Sequence, residues 1–450
     1  VLDATFKSCK NLSNITLLSE SQVYFKGLVL SGCSFESFII PEGVVSIDGP
    51  VFSQCVNLRE VSIPNSLVYV SGDVFKNCNT LSTISTDCNV AGFVFRDGAL
   101  LKNEDLIAVP EGVEQLVIPA SVTCIDDKFQ NLKKLASFKI ADGGTGDLEI
   151  PDDCFKDCRS LMEVELPSNV KRIGDRAFSG CIRLSEIHIA NGSRLTSIGA
   201  EAFKGTALLD FYMPSTVKDI GQSAFEGCTS LGTVSVPSDS GLVSIGSKAF
   251  SDNAIRAFYI PKGVQQIGDS CFKGCNLLST LVVDSANAHY STESGALCND
   301  SALLFVPSGL HQLDLSGDII SYDVSAFDSA STLEEIRVDS GNPVFSSGNG
   351  MLLNKDGTRI KYVPSAMKNI LIPSSVTVLG SDAEGSSRSP LRDCGDIESI
   401  VYRSSSGTVV LSSFFLSDIS YDSGKVDLFV IDSPGIEING MSTKHGGIGT

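Results

Sequence analysis

The chain has 450 residues, of which 42% are hydrophobic and 19% charged, so it can bury a large core and extensive disorder is not expected. Its formal net charge of −19 excludes the basic face that nucleic-acid phosphates require and disfavours electrostatic docking onto anionic lipid. The longest apolar runs are only a few residues, well below the roughly 20 that span a bilayer, so membrane insertion is not expected either.

A short motif recurs from the N-terminus onward. It is irregular at first, in Phe6-Lys-Ser-Cys-Lys-Asn-Leu and then in the copies anchored by Phe52 and Phe75. It is regular from Leu116 onward, as in Val170-Lys-Arg-Ile-Gly-Asp-Arg-Ala-Phe-Ser-Gly-Cys-Ile-Arg-Leu-Ser-Glu-Ile-His-Ile, and the same apolar order returns from Leu195. The regular part is anchored by Phe129, Phe155, Phe178, Phe203, Phe225, Phe250 and Phe272. Self-similarity at a period of this length is the signature of stacked repeat units.

Three longer units interrupt the repeat, near residues 88–115, 286–310 and 340–365. In the first, Asp97-Gly98 stands between alternating apolar residues, which is typical of a β-hairpin turn. Asp356-Gly357 is expected to take the same place in the third. The sequence therefore predicts β-hairpin insertions at these three positions.

Each repeat unit predicts one turn of a solenoid. Leu-x-x-Ile-x-Ile-Pro alternates apolar and polar residues, which indicates a strand with one buried face, and the proline ends it. Val-x-x-Ile-Gly is expected to return along the other side, with the glycine allowing a sharp bend. Ala-Phe-x-x-Cys-x-x-Leu is too short for a free helix and is expected to form a 3-10 or helical corner.

Stacking of these units gives the predicted architecture. We expect an α/β, β-rich solenoid with parallel strands on the concave face and short turns or helical corners opposite. About 14 to 15 turns are expected over residues 1–403, at a spacing of ~4.8 Å. Residues 404–450 show no repeat and are expected to form a C-terminal cap or tail.

The 14 cysteines follow the repeat rather than a disulfide pattern. Eight of them lie three residues after an anchor: Cys9, Cys55, Cys78, Cys158, Cys181, Cys228, Cys275 and Cys394. Leu132, Thr206, Asn253 or Ala330 takes this slot in other copies. This exchange favours buried thiols that pack as small hydrophobic groups, although a bridge between neighbouring copies remains an alternative.

The pattern resembles the BspA-like, Treponema pallidum-type, leucine-rich repeat proteins. The resemblance rests on Ile173-Gly-x-x-Ala-Phe178-x-x-Cys181-x-x-Leu184-x-x-Ile187-x-Ile and on the Asn-Pro-x-Phe-Ser sequence from Asn342. It implies a leucine-rich repeat solenoid. It also implies a surface or secreted protein that adheres to host matrix proteins or other cells, and no shared catalytic residues.

Residues between the buried strand positions should point outward from the predicted strand face, so they are the candidate binding residues. Two columns of such residues converge on a central patch that is rich in acids and aromatic groups: Glu163, Glu165, Glu186, His188, Asp210, Tyr212 and Tyr259. Tyrosine and histidine are typical of contact surfaces, and the acidic residues suit a basic segment of a partner. An ordinary solvated strand face is the alternative interpretation.

Composition gives little support to catalysis or to a bound cofactor. Only four histidines exist, at positions far apart in the sequence, so neither a catalytic triad nor a metal site is expected. The sequence favours a non-enzymatic extracellular scaffold that binds a protein ligand, such as host matrix or another cell surface. The alternatives are a surface enzyme that uses the acidic strand face, and a purely architectural spacer rod.

Overall fold

The structure is a computed structural model that falls into two compact units, Val1–Asn253 and Ala254–Thr450. It describes the chain except for residues 19–21, 87–91, 104, 123, 126–128, 130–131, 381–387, 396, 404–409, 412–426, 432–436, 439–440 and 443–450. From residue 403 onward the strands are described by their backbone alone.

Among its described residues the first unit contains 21 strands, most of them two to four residues long. They are β1 Leu2–Asp3, β2 Val23–Lys26, β3 Ser37–Ile39, β4 Val44–Asp48, β5 Glu60–Ile63, β6 Tyr69–Val70, β7 Thr83–Thr86, β8 Phe93–Arg96, β9 Ala99–Lys102, β10 Asp105–Ala108, β11 Gln115–Ile118, β12 Ser137–Ile140, β13 Leu148–Ile150, β14 Glu163–Leu166, β15 Val170–Ile173, β16 Glu186–Ile189, β17 Ser197–Ile198, β18 Asp210–Tyr212, β19 Asp219–Ile220, β20 Thr233–Ser235 and β21 Ser244–Ile245.

The second unit contains the remaining strands. They are β22 Ala257–Ile260, β23 Gln266–Ile267, β24 Thr280–Val283, β25 Tyr290–Glu293, β26 Ala296–Asn299, β27 Ala302–Phe305, β28 Gln312–Leu315, β29 Ser321–Tyr322, β30 Glu335–Val338, β31 Phe345–Gly348, β32 Met351–Asn354, β33 Ile360–Tyr362, β34 Asn369–Ile372, β35 Val378–Leu379, β36 Ser399–Arg403, β37 Val410–Leu411, β38 Asp427–Ile431, β39 Glu437–Ile438 and β40 Met441–Ser442.

Two parallel ladders organise the first unit, because most turns of the chain contribute one strand to each of them. The first ladder includes β3-β5-β7, β11-β12-β14-β16 and β18-β20, and the second includes β1-β2-β4-β6 and β13-β15-β17-β19-β21. Successive turns pair in parallel throughout these sheets. The predicted parallel-strand solenoid is therefore confirmed, and we call the exposed side of the first ladder the strand face.

The alternation in the repeat explains which side of each strand is buried. In β14, Val164 and Leu166 are buried, while Glu163 and Glu165 remain partly exposed on the strand face. The strand ends immediately before Pro167, as the missing N–H of proline requires. This binary pattern fixes the register, since a slip by one residue would turn the apolar side chains into solvent.

A column of stacked phenylalanine rings forms the centre of the core. The rings of Phe155 and Phe178 lie 5.2 Å apart and 2° from parallel, and those of Phe178 and Phe203 lie 5.3 Å apart at 6°. Phe225 and Phe250 continue the column at 5.2 and 5.3 Å. The rings stack because neighbouring turns place equivalent residues about one strand spacing apart, and each aromatic contact contributes about 0.5–1.5 kcal/mol.

The corners differ from the prediction, because no α-helix occurs in the part of the chain that the structure describes. The N–H groups of Arg176, Phe178 and Gly180 donate to carbonyls of the next turn, at 2.8–2.9 Å. A helix would need these same N–H groups for bonds within its own turn. Positive φ angles of 54° at Arg176 and 74° at Gly180 also interrupt any helical run. The predicted helical corners are therefore wrong, and tight turns bonded to the next turn replace them.

The glycine of the repeated Ile-Gly pair is needed for a reason other than the sharp bend that the sequence predicts. A Cβ atom at Gly199 would lie 2.6 Å from the N atom of Asp175, and one at Gly221 would lie 2.5 Å from the N atom of Ala200. Gly246 meets the backbone of the preceding turn in the same way. Glycine is required here because the backbones of neighbouring turns approach more closely than any side chain permits.

From Cys55 onward the cysteines of the repeated slot are buried, and the thirteen cysteines that the structure describes form no disulfide bond. Cys181 Sγ donates to the carbonyl of Phe155 at 3.0 Å, and Cys228 Sγ donates to that of Phe203 at 3.1 Å. Each accepting carbonyl belongs to the anchor of the preceding turn. The interpretation as packing thiols is confirmed for the buried cysteines of the slot, and S–H donors such as those of Cys181 and Cys228 add inter-turn bonds where the slot holds cysteine.

Each of the three insertions contributes three antiparallel strands, β8-β9-β10, β25-β26-β27 or β31-β32-β33, and β27 of the second insertion also pairs in parallel with β29. Asp97 and Gly98, with φ angles of 52° and 86°, form the tight turn between β8 and β9. The same place in the third insertion is taken by Asn349-Gly350, with φ angles of 50° and 80°. The expected equivalence of Asp356-Gly357 is therefore wrong, because that pair lies between β32 and β33.

A buried asparagine ties the third insertion to the turn before it. Asn342 is fully buried, and its Nδ2 donates to the carbonyls of Ser316 and Ile319 at 2.9 and 2.7 Å. Its Oδ1 accepts the N–H groups of Val344 and Phe345 at 2.9 and 2.8 Å. All four hydrogen-bonding positions of the amide are thus satisfied inside the protein.

The second unit also contains parallel ladders, such as β22-β24, β28-β30 and β34-β36-β38. Strand pairing continues into residues 404–450, where β38 pairs with β36, and β39 pairs with β37 in parallel and with β40 antiparallel. The single solenoid over residues 1–403 and the capping role of the tail stay predictions, and most of the tail lies outside the described residues.

Candidate functional site

The register of the first ladder positions the candidate binding residues. Strands β14 and β16 pair in parallel, so Glu163 lies opposite Glu186 and Glu165 lies opposite His188. Buried neighbours such as Val164 hold these strands in place, while the alternate residues point away from the core. Four of the seven predicted residues are thus brought together on the strand face.

Glu163, Glu186 and His188 form the tightest cluster of this group. His188 Nε2 lies 3.4 Å from Glu186 Oε2 and 3.8 Å from Glu163 Oε1. One ligand atom from each of the three residues lies within 4.8 Å of the others. The side chains are 42–59% exposed, so the cluster faces solvent rather than an enclosed cavity. These are the described residues whose donor atoms are grouped closely enough to hold a metal ion, although the sequence predicted no such site.

Glu165 has a different role, because it forms an ion pair with Lys139 on the neighbouring strand β12. The hydrogen bond and the negative charge of Glu165 raise the pKa of Lys139 above its ordinary value. Glu165 therefore contributes little net negative charge to the strand face. The sequence contained the signal for this pair, since both residues occupy the same outward column in adjacent copies.

Asp210 and Tyr212 lie one turn further along the first unit. The N–H of Leu209, just before β18, donates to the carbonyl of Ser185, just before β16, at 3.3 Å. Strand β18 then pairs with β20, which places Tyr212 opposite Ser235. The side chain of Tyr212 is 68% exposed. An aromatic ring with this exposure on a fixed strand is available for contact with a partner.

Tyr259 lies in the second unit, on β22. Its hydroxyl donates to Asp284 Oδ2 at 2.6 Å, and this bond raises the pKa of Tyr259 and lowers that of Asp284. The sequence did not indicate this partnership, because Asp284 lies beyond the end of the next strand. That Tyr259 shares one patch with the six residues of the first unit stays a prediction.

A polar cleft that was not predicted interrupts the strand face between β7 and β11. It has a volume of about 650 Å³, and Thr83 and Gln115 lie on its two sides. Its charged lining is mixed, with Arg59 and Lys134 beside Asp97 and Glu114. The cleft occurs where the first insertion replaces a regular turn. The interruption near residues 88–115 was the only sequence signal for it.

Membrane insertion was not expected from the sequence. Among the residues with described positions, no helix has the length and apolar character needed to cross a lipid bilayer.

The repeat decides the family. A model described as "BspA type Leucine rich repeat region" matches in six copies, over residues 1–96 and 148–279, together just over half of the chain. The chain belongs to the BspA-type leucine-rich repeat family. The resemblance seen in the sequence is therefore confirmed, while no curated protein matches this leucine-rich repeat chain.

Several solved structures resemble this leucine-rich repeat protein at low identity. A leucine rich cell surface protein from Faecalibacterium prausnitzii A2-165 is 22% identical, with 74% of this chain and 96% of that chain covered and a TM-score of 0.46. The pneumococcal vaccine antigen PcpA is 15% identical over 76% and 94%, with a TM-score of 0.45. The T. pallidum leucine rich repeat protein is 20% identical over 43% and 90%, with a TM-score of 0.32.

Proposed function

We propose that this protein is a non-enzymatic scaffold, at the cell surface or secreted, that binds an extracellular protein through its strand face. The observation that carries the proposal is the exposure of Tyr212 beside the acidic group on β16 and β18. Aromatic residues on rigid elements dominate protein interfaces because they bury a large area at little cost in conformational entropy.

The charge of the same surface suggests the kind of partner. Glu163, Glu186 and Asp210 carry negative charge, whereas the charge of Glu165 is balanced by Lys139. The outward residues are held by parallel pairing, so they are presented in a fixed pattern. A basic segment of a host matrix protein, or of a protein on another cell, would complement this surface.

The buried thiols are compatible with an extracellular location. Burial raises the pKa of Cys158 to about 12 and that of Cys228 to about 11, so neither forms the reactive thiolate at neutral pH. Free cysteines of this kind resist oxidation even in an oxidising compartment. Family membership supports the same location, since proteins of this class are mostly surface or secreted.

Binding of the purified chain to immobilised extracellular matrix proteins tests the proposal. We expect Tyr212→Ala to weaken binding roughly tenfold or more, because a truncated interface anchor typically costs 2 kcal/mol or more. Tyr69→Ala is the matched control, since Tyr69 is 51% exposed but lies on β6 of the second ladder. Equal binding by both variants and the wild type would exclude the patch.

Two further variants separate the parts of the proposal. Glu186→Gln should weaken binding and reduce its dependence on salt, because it removes one exposed charge. Tyr259→Ala tests whether the second unit contributes to the same interface. Binding that is insensitive to all of these substitutions would favour the architectural spacer, in which the strand face has no partner.

A further inference from the structure

We propose that Glu163, Glu186 and His188 form a binding site for a divalent transition-metal ion of the zinc type. The proposal goes beyond the proposed protein-binding function and does not depend on it. It rests on the geometry of three donor atoms from two adjacent strands, on the lack of a salt bridge from a described lysine or arginine to either glutamate, and on the chemistry of the donor set.

The distances between the donor atoms fit one small ion. Zinc lies about 2.0–2.2 Å from imidazole nitrogen and carboxylate oxygen, so two ligand atoms of a tetrahedral site are about 3.4 Å apart. The distance from His188 Nε2 to Glu186 Oε2 is 3.4 Å, and that to Glu163 Oε1 is 3.8 Å. All three donor atoms lie within 4.8 Å of one another. A small rotation of the glutamate side chains would complete three corners of the tetrahedron.

The backbone holds these donors in place before any ion arrives. Glu186 and His188 are alternate residues of β16 and therefore point to the same side of the strand. Glu163 lies opposite Glu186 in the parallel pair of β14 and β16. The site is thus built on two hydrogen-bonded strands rather than on loops, which favours precise ligand geometry.

The local charge balance also favours a cation. Among the residues that the structure describes, no lysine or arginine forms a salt bridge with Glu163 or Glu186. Lys139 on the neighbouring strand is hydrogen-bonded to Glu165, and the charge of Glu163 makes only a smaller contribution to the raised pKa of Lys139. Two carboxylates and an imidazole that face one another without a basic partner leave negative charge, which a bound metal ion would neutralise.

The donor set selects the class of ion. Imidazole nitrogen suits zinc, nickel, copper and iron, whereas calcium and magnesium prefer six or more oxygen ligands. One imidazole and two carboxylates also leave a fourth tetrahedral position open to solvent. The site therefore has the ligand count of zinc sites that retain one exchangeable ligand.

Isothermal titration of the untagged full chain with ZnCl₂ tests the site. We expect one Zn²⁺ to bind per chain, and His188→Ala and Glu186→Gln each to weaken that binding roughly tenfold or more. His311→Ala is the matched control. His311 is an exposed histidine whose Nδ1 lies 3.2 Å from Glu334 Oε1, and no third ligand of the described chain joins this pair. Circular dichroism would verify that each variant is folded.

Two further measurements exclude other sources of binding. The titrations are repeated in a Cys124→Ser background, because Cys124 is an exposed thiol and could bind zinc by itself. Co²⁺ replaces Zn²⁺ in a spectroscopic arm, where the wild type should give visible d–d absorption that His188→Ala loses. Equal zinc affinity in the wild type and His188→Ala, or tighter binding of Ca²⁺ than Zn²⁺, would overturn the proposal.

Discussion

The cysteines of the repeat stabilise the fold through burial and packing rather than through the reactivity of their thiols. The cysteine slot illustrates this, because its thiols pack in the core and donate to the carbonyl of the preceding anchor. In copies without cysteine, Thr206 keeps a polar contact, with its hydroxyl 3.2 Å from Cys228 Sγ. Leu132 and Ala330 fill the same slot without any side-chain donor, so burial is what its occupants share, and no redox function needs to be invoked.

Burial of Cys158 predicts a pH dependence of stability. Desolvation raises its pKa from 9.0 to about 12 in the folded state. The unfolded state therefore releases the proton first, and the free energy of unfolding should fall as pH rises from about 9 to about 12. The expected slope from one such group is up to about 1.4 kcal/mol per pH unit. Urea denaturation of the wild type and Cys158→Ala would measure it.

The variant should show a smaller loss of stability over that pH range, because other groups titrate equally in both proteins. Cys124→Ala provides the control, since Cys124 is exposed. Identical pH profiles for the wild type and Cys158→Ala would contradict the assigned cause.

The amide of Asn342 makes a second prediction at this scale. Asn342→Asp keeps the size of the side chain but replaces two N–H donors by a carboxylate that faces the carbonyls of Ser316 and Ile319. We expect a loss of about 3 kcal/mol or more in unfolding free energy, because a buried group is left unpaired and charged. Thermal and urea denaturation would measure the loss. Asn191→Asp, at an exposed loop position, should change stability by less than about 0.5 kcal/mol.

At the scale of the elements, hydrogen bonds join neighbouring turns at the corners as well as along the strands. Alternate N–H groups of the corner at Arg176, Phe178 and Gly180 bond to the next turn, in the same manner as a parallel ladder. The glycines of the Ile-Gly pairs permit this close approach. Inter-turn bonding thus extends around the corner instead of stopping at the ends of the strands.

Gly221→Ala tests the importance of this close approach. The added methyl group would lie 2.5 Å from the N atom of Ala200 and 2.6 Å from the C atom of Gly199, and neither backbone atom can move freely. We expect a loss of about 3 kcal/mol in unfolding free energy, at the upper end of the usual cost of overpacking. Gly232→Ala is the matched control, because its nearest heavy atom would be 4.0 Å away. A similar small effect of both substitutions would refute the argument.

For the whole molecule, the net charge of −19 and the pI of about 4.6 dominate behaviour in solution. Mutual repulsion keeps the chains apart at neutral pH and vanishes near the pI. The fold itself should survive there. A hydrogen bond from the N–H of Asp175 lowers the pKa of Asp152, and one from Arg176 lowers that of Asp153, both from 3.8. Their contribution to stability is present above 3.8 and is lost only as pH falls through the lower folded-state values.

We therefore expect self-association to rise steeply as pH falls from 7 to about 4.6, while the far-UV circular dichroism spectrum stays that of the folded protein. Light scattering and circular dichroism on the same samples would establish the order of the two events. Loss of structure before association would show that these carboxylates do not remain ionised in the folded state.

The solenoid and its core were predictable from the sequence, because the positions that stay apolar from copy to copy are the buried ones. The alternation around Val164, the Phe178 column and the buried Cys181 all followed from one copy of the motif compared with the next. The corner prediction failed because a single copy does not reveal that its N–H groups bond to the following turn. The role of Gly221 was missed for the same reason, since the atoms that exclude a side chain lie one turn away.

The candidate site was predictable only in part. The step between copies places Glu163, Glu186 and His188 in neighbouring positions, so their proximity could have been inferred from the parallel register. The pair of Lys139 and Glu165 also follows from their shared outward column, whereas the contact of Tyr259 with Asp284 depends on side-chain reach, which spacing alone does not define. The sequence therefore predicts which residues lie on the strand face better than it predicts which side chains contact one another there.

The bonding around the corners has a mechanical consequence. Between β13 and β21, each junction of two turns is closed by the second ladder and by the corner together, and the first ladder adds bonds at β14-β16 and β18-β20. Under tension the hydrogen bonds of such a junction should break together and release a whole turn of the chain at once. One turn of about 23 residues is about 80 Å long when extended. A stretched chain should therefore lengthen in discrete steps of that size. Between steps, the intact junctions should resist further extension.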